Sequence, residues 1–452
     1  VGFMTTDNSP RGGGEGETES TRWNRRTFLG TAGAAGVAGL TGPVGSVSAQ
    51  NGPIKIGAVY LLSGLGQSLG AASVAAARLT VKKINEAGGI MGRNVQLVVR
   101  DHENSASTAN QHFRDLVQRQ GVAAMIGLTS SGVTLSTAPT VAALGVPLTL
   151  TDIGTPFITE HDEQKYGDNA QGTKVHFRTN ANTAVNTYAM AKYANENLDV
   201  TRVANLGPDY AYGQQCWEYF KAFSNAMGAN YEYVASQFPE VGASNMTPQI
   251  NTVANANPEL VFTSFWGGDA VTFVQQATQQ GLFEQATDVF DTLGADPTVF
   301  QALGNTMPEG VNYSSWYWHS TYDNQNNRNF LNAWNQEYAN TDTIGIPSFT
   351  GPSAWSALWM YKRAMENAGS TNPDDIISQL EGMQYQNDPR GPITIQADSH
   401  QANAPTIIGT TSKKDDVPYN GVGLQPSQSI SADRKTLTDL LSQANTNLPP
   451  GI

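Results

Sequence analysis

Val122-Ala123-Ala124-Met125-Ile126-Gly127-Leu128-Thr129-Ser130-Ser131-Gly132 holds a short apolar run, a glycine that ends it, three hydroxyls and a second glycine. The run Val122 to Ile126 predicts a buried strand, and Val133 to Leu144 predicts a helix. A hydroxyl-rich turn at a helix start offers unpaired backbone N–H groups, Ser and Thr donors and the positive end of a helix dipole. That setting suits a carboxylate or phosphate. The plain alternative is that Ser130 or Ser131 only caps the helix.

The same unit repeats on both sides of this stretch. Upstream, Ile54 to Tyr60 predicts a strand, Ala71 to Ala87 an Ala-rich helix broken by Gly88-Gly89-Ile90-Met91-Gly92, Val95 to Arg100 a strand, and Ser107 to Gln120 a helix. Downstream, Val146 to Leu150 predicts a fourth strand. Strands that alternate with helices through short loops imply parallel strands and right-handed crossovers, an open α/β sheet. After a polar insertion (160–172) and a short extended crossing at Val175 to Thr179, a second series begins. Its strands are Arg202 to Leu206, Tyr231 to Gln237, Leu260 to Phe265 and Asp288 to Leu293, with helices between them. Val311 to Trp318 reads as another extended crossing. Helices at Asn329 to Ala339, Ser353 to Ala368 and Pro373 to Leu380 follow, then a hairpin made by Gly391 to Ile395 with Gln396 to Gln401. From Pro418 the chain is polar, with one weak helix at Ala432 to Ala444. The expected fold is α/β, with two doubly wound Rossmann-like lobes.

Composition narrows the function. Acidic residues outnumber basic ones, 39 to 26, for a formal charge of −13. No basic patch is visible, which argues against nucleic acid as a partner. The low-lysine, acidic, Asn/Gln/Thr-rich surface fits an organism living in high salt. The single cysteine, Cys216, leaves no intrachain disulfide framework or multi-cysteine metal site. It sits among Trp217, Tyr219 and Phe220 and reads as a buried small apolar residue. The six histidines share no zinc-like spacing, and each reads as surface or structural. Thr21-Arg22-Trp23-Asn24-Arg25-Arg26-Thr27-Phe28-Leu29-Gly30 carries a twin-arginine export pattern, and Val47-Ser48-Ala49 offers a cleavage site. Residues 1–49 are therefore expected to be a signal peptide, and the protein extracellular, cell-surface or periplasmic.

No nucleophile elbow, zinc-protease helix or Walker loop is present. Gly64-Leu65-Gly66 with Gly70 resembles a dinucleotide-binding turn and supports a competing reading, an exported NAD(P)-dependent oxidoreductase. The glycine spacing is off, however, and Asp101 comes about 30 residues on, beyond the usual interval of about 20. A cleft-lining loop that needs close backbone approach is the better reading.

Polar and aromatic residues cluster just past predicted strands: Ser130 and Ser131; Asp152 to Thr155; Asp209, Tyr210 and Tyr212; Trp266 to Asp269; Asp296. In an open parallel sheet that edge binds ligands. The first series offers hydroxyls and a helix start, suited to an anion. The second offers Asp269 and Asp296, suited to an ammonium, with tyrosines and Trp266 as an apolar wall. Together they match a zwitterionic amino acid.

At these residues the chain resembles the branched-chain amino-acid substrate-binding proteins of ABC importers, which have the type I periplasmic-binding-protein fold. Ile56-Gly57 to Ser63-Gly64 resembles the opening strand and loop of that family. Asn85-Glu86-Ala87-Gly88-Gly89-Ile90-Met91-Gly92-Arg93 resembles its I-N-x-x-G-G-I-x-G motif. Ile126-Gly127 with Ser130-Ser131-Gly132, Asp209-x-x-Tyr212-Gly213 and Asp398-Ser399-His400-Gln401 match further segments. The resemblance implies that Ser130 or Ser131, with Ile153, Gly154 and Thr155, holds a ligand carboxylate. It implies that Tyr212 lines the second lobe and that Asp296 pairs with the ammonium. Asp269 stands where many relatives place an aromatic, and Leu69 where some carry one, so aromatic acids, amides or urea are alternative ligands. It further implies three crossings, the third near Arg390 to Ile393. The first lobe would span 53–176 and 317–389, the second 177–316 and 390–430, with a tail at 431–452. The implied protein is a monomer and not an enzyme. It uses no cofactor, its partners are a small-molecule ligand and a membrane permease, and hinge closure presents the ligand.

Overall fold

A computed structural model describes residues 52–338, 345–413, 417 and 421–452. The expected signal peptide at 1–49, Ala339 and Pro418 lie outside the described residues. Two α/β lobes follow one another. In the first, five strands lie in the order β2 (Val95–Asp101), β1 (Ile54–Tyr60), β3 (Ala124–Gly127), β4 (Leu148–Leu150), β5 (His176–Arg178), all parallel. β1 is buried along almost its whole length. That explains its unbroken apolar run, since helices cover both faces of a parallel sheet. The second sheet has seven strands: β6 (Arg202–Leu206), β7 (Glu232–Gln237), β8 (Leu260–Thr263), β9 (Asp288–Thr292), β10 (Asn312–Ser315), β13 (Thr406–Lys413) and β14 (Val422–Ile430). Their order is β14-β13-β10-β9-β8-β6-β7, parallel from β7 to β10 and antiparallel beyond it. A two-stranded ribbon pairs β11 (Gln384–Tyr385) with β12 (Ile393–Thr394).

Three expectations change here. Ile393-Thr394 pairs backwards with Gln384-Tyr385, because Ile395 makes only a single bridge to Ala402; the expected hairpin with Gln396 to Gln401 is reduced to that bridge. The stretch at Val311 to Trp318 is more than a crossing, since its first half is an inner strand between β9 and β13. β13 and β14 extend the sheet where no strand was expected. β14 is an edge strand with Pro426 in it and alternate residues exposed, so it lacks the apolar run of an inner strand.

The Gly-Gly motif has a plain mechanical role. The helix Gln67–Glu86 ends there, and Gly89 donates back to the Ile84 carbonyl at 2.9 Å. A Cβ on Gly89 would lie 2.0 Å from the Arg93 carbonyl oxygen, so only glycine fits the turn. Ile90 is fully buried, and the Asn85 side chain both donates to and accepts from the Val95 backbone (3.0 and 2.7 Å). The motif thus fixes how this helix delivers the chain into β2.

The lobes are closed on one another. One apolar cluster joins Leu69 and Leu79 of the first lobe to Tyr212, Phe223 and Trp316. Buried arginines brace the crossings. Arg178 donates to Gln401 Oε1 (2.9 Å) and to the Thr155 carbonyl (2.5 Å). Arg390 pairs with Asp388 and donates to the Thr179 carbonyl at 2.7 Å. The final passage leaves β12 and enters β13 at Thr406. A strap at 449–452 runs beside the crossings. The Thr159 hydroxyl donates to the Gly451 carbonyl (2.7 Å), the Asn182 amide to Pro450 and Gly451 (2.9 and 3.0 Å), and the Tyr219 hydroxyl to Pro449 (2.5 Å). Arg434, on the helix Arg434–Gln443, pairs with buried Glu160 at 2.7 Å.

Candidate functional site

Each sheet has one topological switch point, where successive crossovers leave in opposite directions. It lies between β1 and β3 in the first lobe and between β6 and β8 in the second. Loops leaving the carboxyl ends of strands diverge there and leave a crevice. The two crevices face each other and enclose a small cavity of about 30 Å³. Leu69, Thr129, Ser131, Asp152 and Gly154 line it from the first lobe. Tyr210, Tyr212, Trp266 and Leu293 line it from the second, and Trp316 and Phe349 close the hinge side.

The hydroxyl loop after β3 divides its labour. Ser130 is the N-cap of the helix Ser131–Leu144, its Oγ accepting the Val133 N–H at 3.4 Å. Ser131 faces the cavity, and its Oγ accepts the Thr155 N–H at 3.3 Å. Thr129 Oγ1 accepts the Leu61 N–H at 3.4 Å. Two hydroxyls thus tie the loops after β1, β3 and β4 into one surface.

After β4, Ile153 contributes only backbone: its side chain is in the core and its carbonyl accepts from Asn180 at 3.0 Å. Thr155 is fully buried and held by Arg178 through its carbonyl. Gly154 lines the cavity, and its carbonyl accepts the Thr183 N–H at 2.7 Å. Asp152 also lines the cavity. It is 7% exposed, and its Oδ2 has no hydrogen-bond partner. Burial holds its pKa well above the usual carboxylate value; a hydrogen bond from Thr129 opposes this, and the charge of Asp296 adds to it.

The second wall is aromatic. Trp266 Nε1 donates to the Tyr210 hydroxyl at 2.8 Å, which fixes both rings. Tyr212 lies over Gly154, where a Cβ would come within 2.8 Å of its ring. The acids singled out in this lobe face elsewhere. Both oxygens of Asp269 accept the Gly242 N–H (3.2 and 3.0 Å). Asp296 caps the helix Pro297–Leu303: it accepts the Thr298 N–H and hydroxyl (2.9 and 2.7 Å) and the Ser348 hydroxyl. Neither is among the cavity-lining residues.

Of the eight residues expected at the site, the cavity brings together Ser131, Gly154 and Tyr212, with Ser130, Ile153 and Thr155 directly behind them. Leu293, Trp316 and Phe349 had no sequence signal, since only long-range packing carries them here, whereas Thr129 belongs to the hydroxyl-rich turn that the sequence singles out. Asp152, Tyr210 and Trp266 did have one, their place just past a strand. Among the described residues, no Lys, Arg or His lines the cavity. His102, His176 and His400 are buried structural residues; burial lowers His102 to about 4 and His176 to about 3. Cys216 is fully buried behind Tyr212.

The glycine loop after β1 meets the other lobe. A Cβ on Gly267 would lie 2.7 Å from the Leu65 carbonyl oxygen, and one on Gly66 3.2 Å from the Trp266 ring. The glycines permit lobe-to-lobe contact, which accounts for them without a dinucleotide. Among the described residues, no group of three His, Cys, Asp or Glu side chains is placed to hold a metal ion.

Residues 53–416 match the sequence pattern of a family described as periplasmic binding protein. The chain is 24% identical over 412 residues to Leu/Ile/Val-binding protein homolog 4 of Brucella abortus, covering 84% of this chain and 90% of the relative. Among solved structures, it superposes on a solute-binding protein of an ABC transporter from Rhodopseudomonas palustris in complex with 3,4-dihydroxybenzoic acid. The TM-score is 0.73 and the identity 20%, with 85% of this chain and 99% of the other covered. A leucine-binding protein from Thermotoga maritima superposes with a TM-score of 0.70 at 19% identity, covering 83% and 98% of the two chains.

Proposed function

Because the chain belongs to the periplasmic binding protein family and is a solute-binding protein of the ABC-transporter type, we propose that its solute is an amino acid, branched-chain or similar, held between the lobes. One observation carries this: the switch points of two sheets converge on one cleft between the lobes, with hydroxyls and a helix start on one side and aromatic rings on the other. The Ser131 hydroxyl and the start of the helix Ser131–Leu144 take the carboxylate, with the backbone at Gly154 and Thr155 behind them. Tyr210, Tyr212 and Trp266 cover the side chain. Ser130, Asp269 and Asp296 act on the protein itself, as cap, loop tie and cap.

The protein carries out no chemistry on its solute. It works as a monomer that closes on the solute and delivers it to a membrane permease. The twin-arginine leader at 1–49 exports it. The first lobe comprises the five-stranded sheet with the β11–β12 ribbon and the second the seven-stranded sheet, so the boundaries expected at 176 and 390 move to the end of β5 and to the passage into β13; the segment 431–452 belongs with the second. A thermal-shift screen of the twenty amino acids, aromatic acids, amides and urea tests this reading. At least one amino acid should raise the melting temperature, and isothermal titration should give one site per chain. If no small solute binds, or if NADH binds with quenching of tryptophan fluorescence, the reading fails.

The aromatic lining favours a second reading. Relatives of this fold hold hydroxylated benzoates, as the Rhodopseudomonas palustris protein does. Five of the eleven cavity-lining residues here are Tyr, Trp or Phe, so a benzoate-like acid is the alternative solute.

A further inference from the structure

Asp152 separates these two solutes. Among the described residues it is the only acid lining the cavity, and no Lys, Arg or His lines it with Asp152. The side chain is more than nine-tenths buried, and Oδ2 has no partner in the protein. A buried carboxyl group with a bare oxygen is costly unless it is protonated or meets a donor or cation. The second acid near it cannot serve. Asp296 acts on Asp152 through its charge, but its own oxygens are taken by Thr298 and Ser348. A donor entering the cleft therefore finds one free carboxylate oxygen, in the first lobe, where the hydroxyl loop by itself suggested only an anion site.

We propose that Asp152 is the receptor for a cationic group of the solute, an ammonium, so that the cleft selects amino acids and amines and rejects carboxylates that lack a cation. This rests on the solute-binding reading above and sharpens it. An ammonium at Asp152 faces the rings of Tyr210 and Trp266 on the opposite wall, whose negative π-faces favour a cation. A benzoate-like acid would bring a second negative charge beside Asp152 in a water-poor space with no counter-ion on the wall. The solute carboxylate and ammonium then share the first lobe: Ser131 and the helix start take one, Asp152 the other. Lobe 2 closes over them without supplying a charge.

Two matched sets of probes test this by isothermal titration. The first set is L-leucine, 3-methylbutylamine and 4-methylpentanoate; the second is L-phenylalanine, 2-phenylethylamine and 3-phenylpropanoate, with 4-hydroxybenzoate added. In whichever set binds, the amino acid should bind about 100-fold tighter than the acid lacking the amine, the size expected for an unpaired buried charge. Asp152→Asn should remove most of that ratio, and circular dichroism should show it folded. If 4-hydroxybenzoate or either simple acid binds wild type as tightly as the amino acids, the inference is overturned while the solute-binding reading stands. If none of the seven probes binds and the broader screen is also silent, the solute-binding reading falls and this inference with it. The wild-type comparison decides the matter even if the variant does not fold.

Discussion

The two walls of the cleft were built from similar sequence and finished differently. Each lobe carries acids just past its strands. In the second lobe these acids are occupied by the protein, Asp269 by Gly242 and Asp296 by Thr298 and Ser348, as is buried Asp291 within β9, by Gly294 and Thr263. In the first, Asp152 Oδ2 has no partner in the protein, and the Ser131 hydroxyl accepts the Thr155 N–H at the cavity wall. On the proposed reading, one wall recognises charge and the other supplies shape. An acid at a strand end is therefore a recognition group only if its lone pairs are not already used, which depends on neighbours far away in sequence.

The contrast can be broken in several places. The largest effect is expected where the walls touch. A Cβ at Gly154 would lie 2.6 Å from Thr183 Oγ1 and 2.8 Å from the Tyr212 ring, both in the second lobe. Gly154→Val should wedge the lobes apart and lower solute affinity by about 100-fold, the upper end of overpacking costs. Small-angle scattering should show no compaction on adding solute. Undiminished affinity would mean the lobes do not meet there.

Next comes the aromatic wall. Trp266→Ala removes the ring and leaves the Tyr210 hydroxyl without its indole donor. Affinity should fall by about 30-fold, as for a central aromatic anchor, with a smaller loss in thermal stability because Trp266 is only half-buried. Equal losses would make Trp266 a core residue rather than a wall.

A third test separates binding from stability. The folded state holds Asp152 with a raised pKa, so it keeps a proton that the unfolded chain gives up above about pH 4. Its presence therefore costs nothing below that pH. The cost grows as pH rises toward the folded pKa and is constant above it. Asp152→Asn should raise the melting temperature of the solute-free protein at pH 7.5 by about 2 °C or more, with no gain at pH 3.5. A variant that weakens binding yet strengthens the empty protein marks a residue kept for its guest. A loss of stability at pH 7.5 would refute this.

The smallest effect should come from the opposite wall. Asp296→Ala removes a helix cap, costing about 1–2 kcal/mol by urea unfolding, and should leave solute affinity within about threefold. Affinity falling as far as in Asp152→Asn would assign the ammonium to the second lobe and erase the contrast between the walls.

The alternation of strand and helix, the cleft edge and the close backbone approach of the glycine loop were legible in the sequence because each rests on local chemistry. Buried parallel strands are apolar throughout, hydroxyls gather at helix starts, and glycines stand where backbones touch. β13 and β14 were not legible, because an antiparallel edge alternates polar and apolar residues and β14 also carries Pro426. Asp296 shows a signal that was there to use. Asp followed by Pro297 and Thr298 is a helix-start pattern, and it outweighs a ligand role when the next turn offers both an N–H and a hydroxyl. Asp269 had no such signal, since its partner Gly242 sits in a distant loop. Trp316 and Phe349 reach the cavity only through the packing of the hinge.

The strap at 449–452 has a mechanical consequence. Three bare crossings form a joint that can twist as well as bend. Here Thr159 on one lobe and Asn182 and Tyr219 on the other grip the same few carbonyls, so the joint carries a pin along one side. A pinned joint swings like a door. The contacts that part are those no covalent segment spans, above all Leu65 against Gly267. A solute would then enter along that free edge, and shortening the strap would widen the opening.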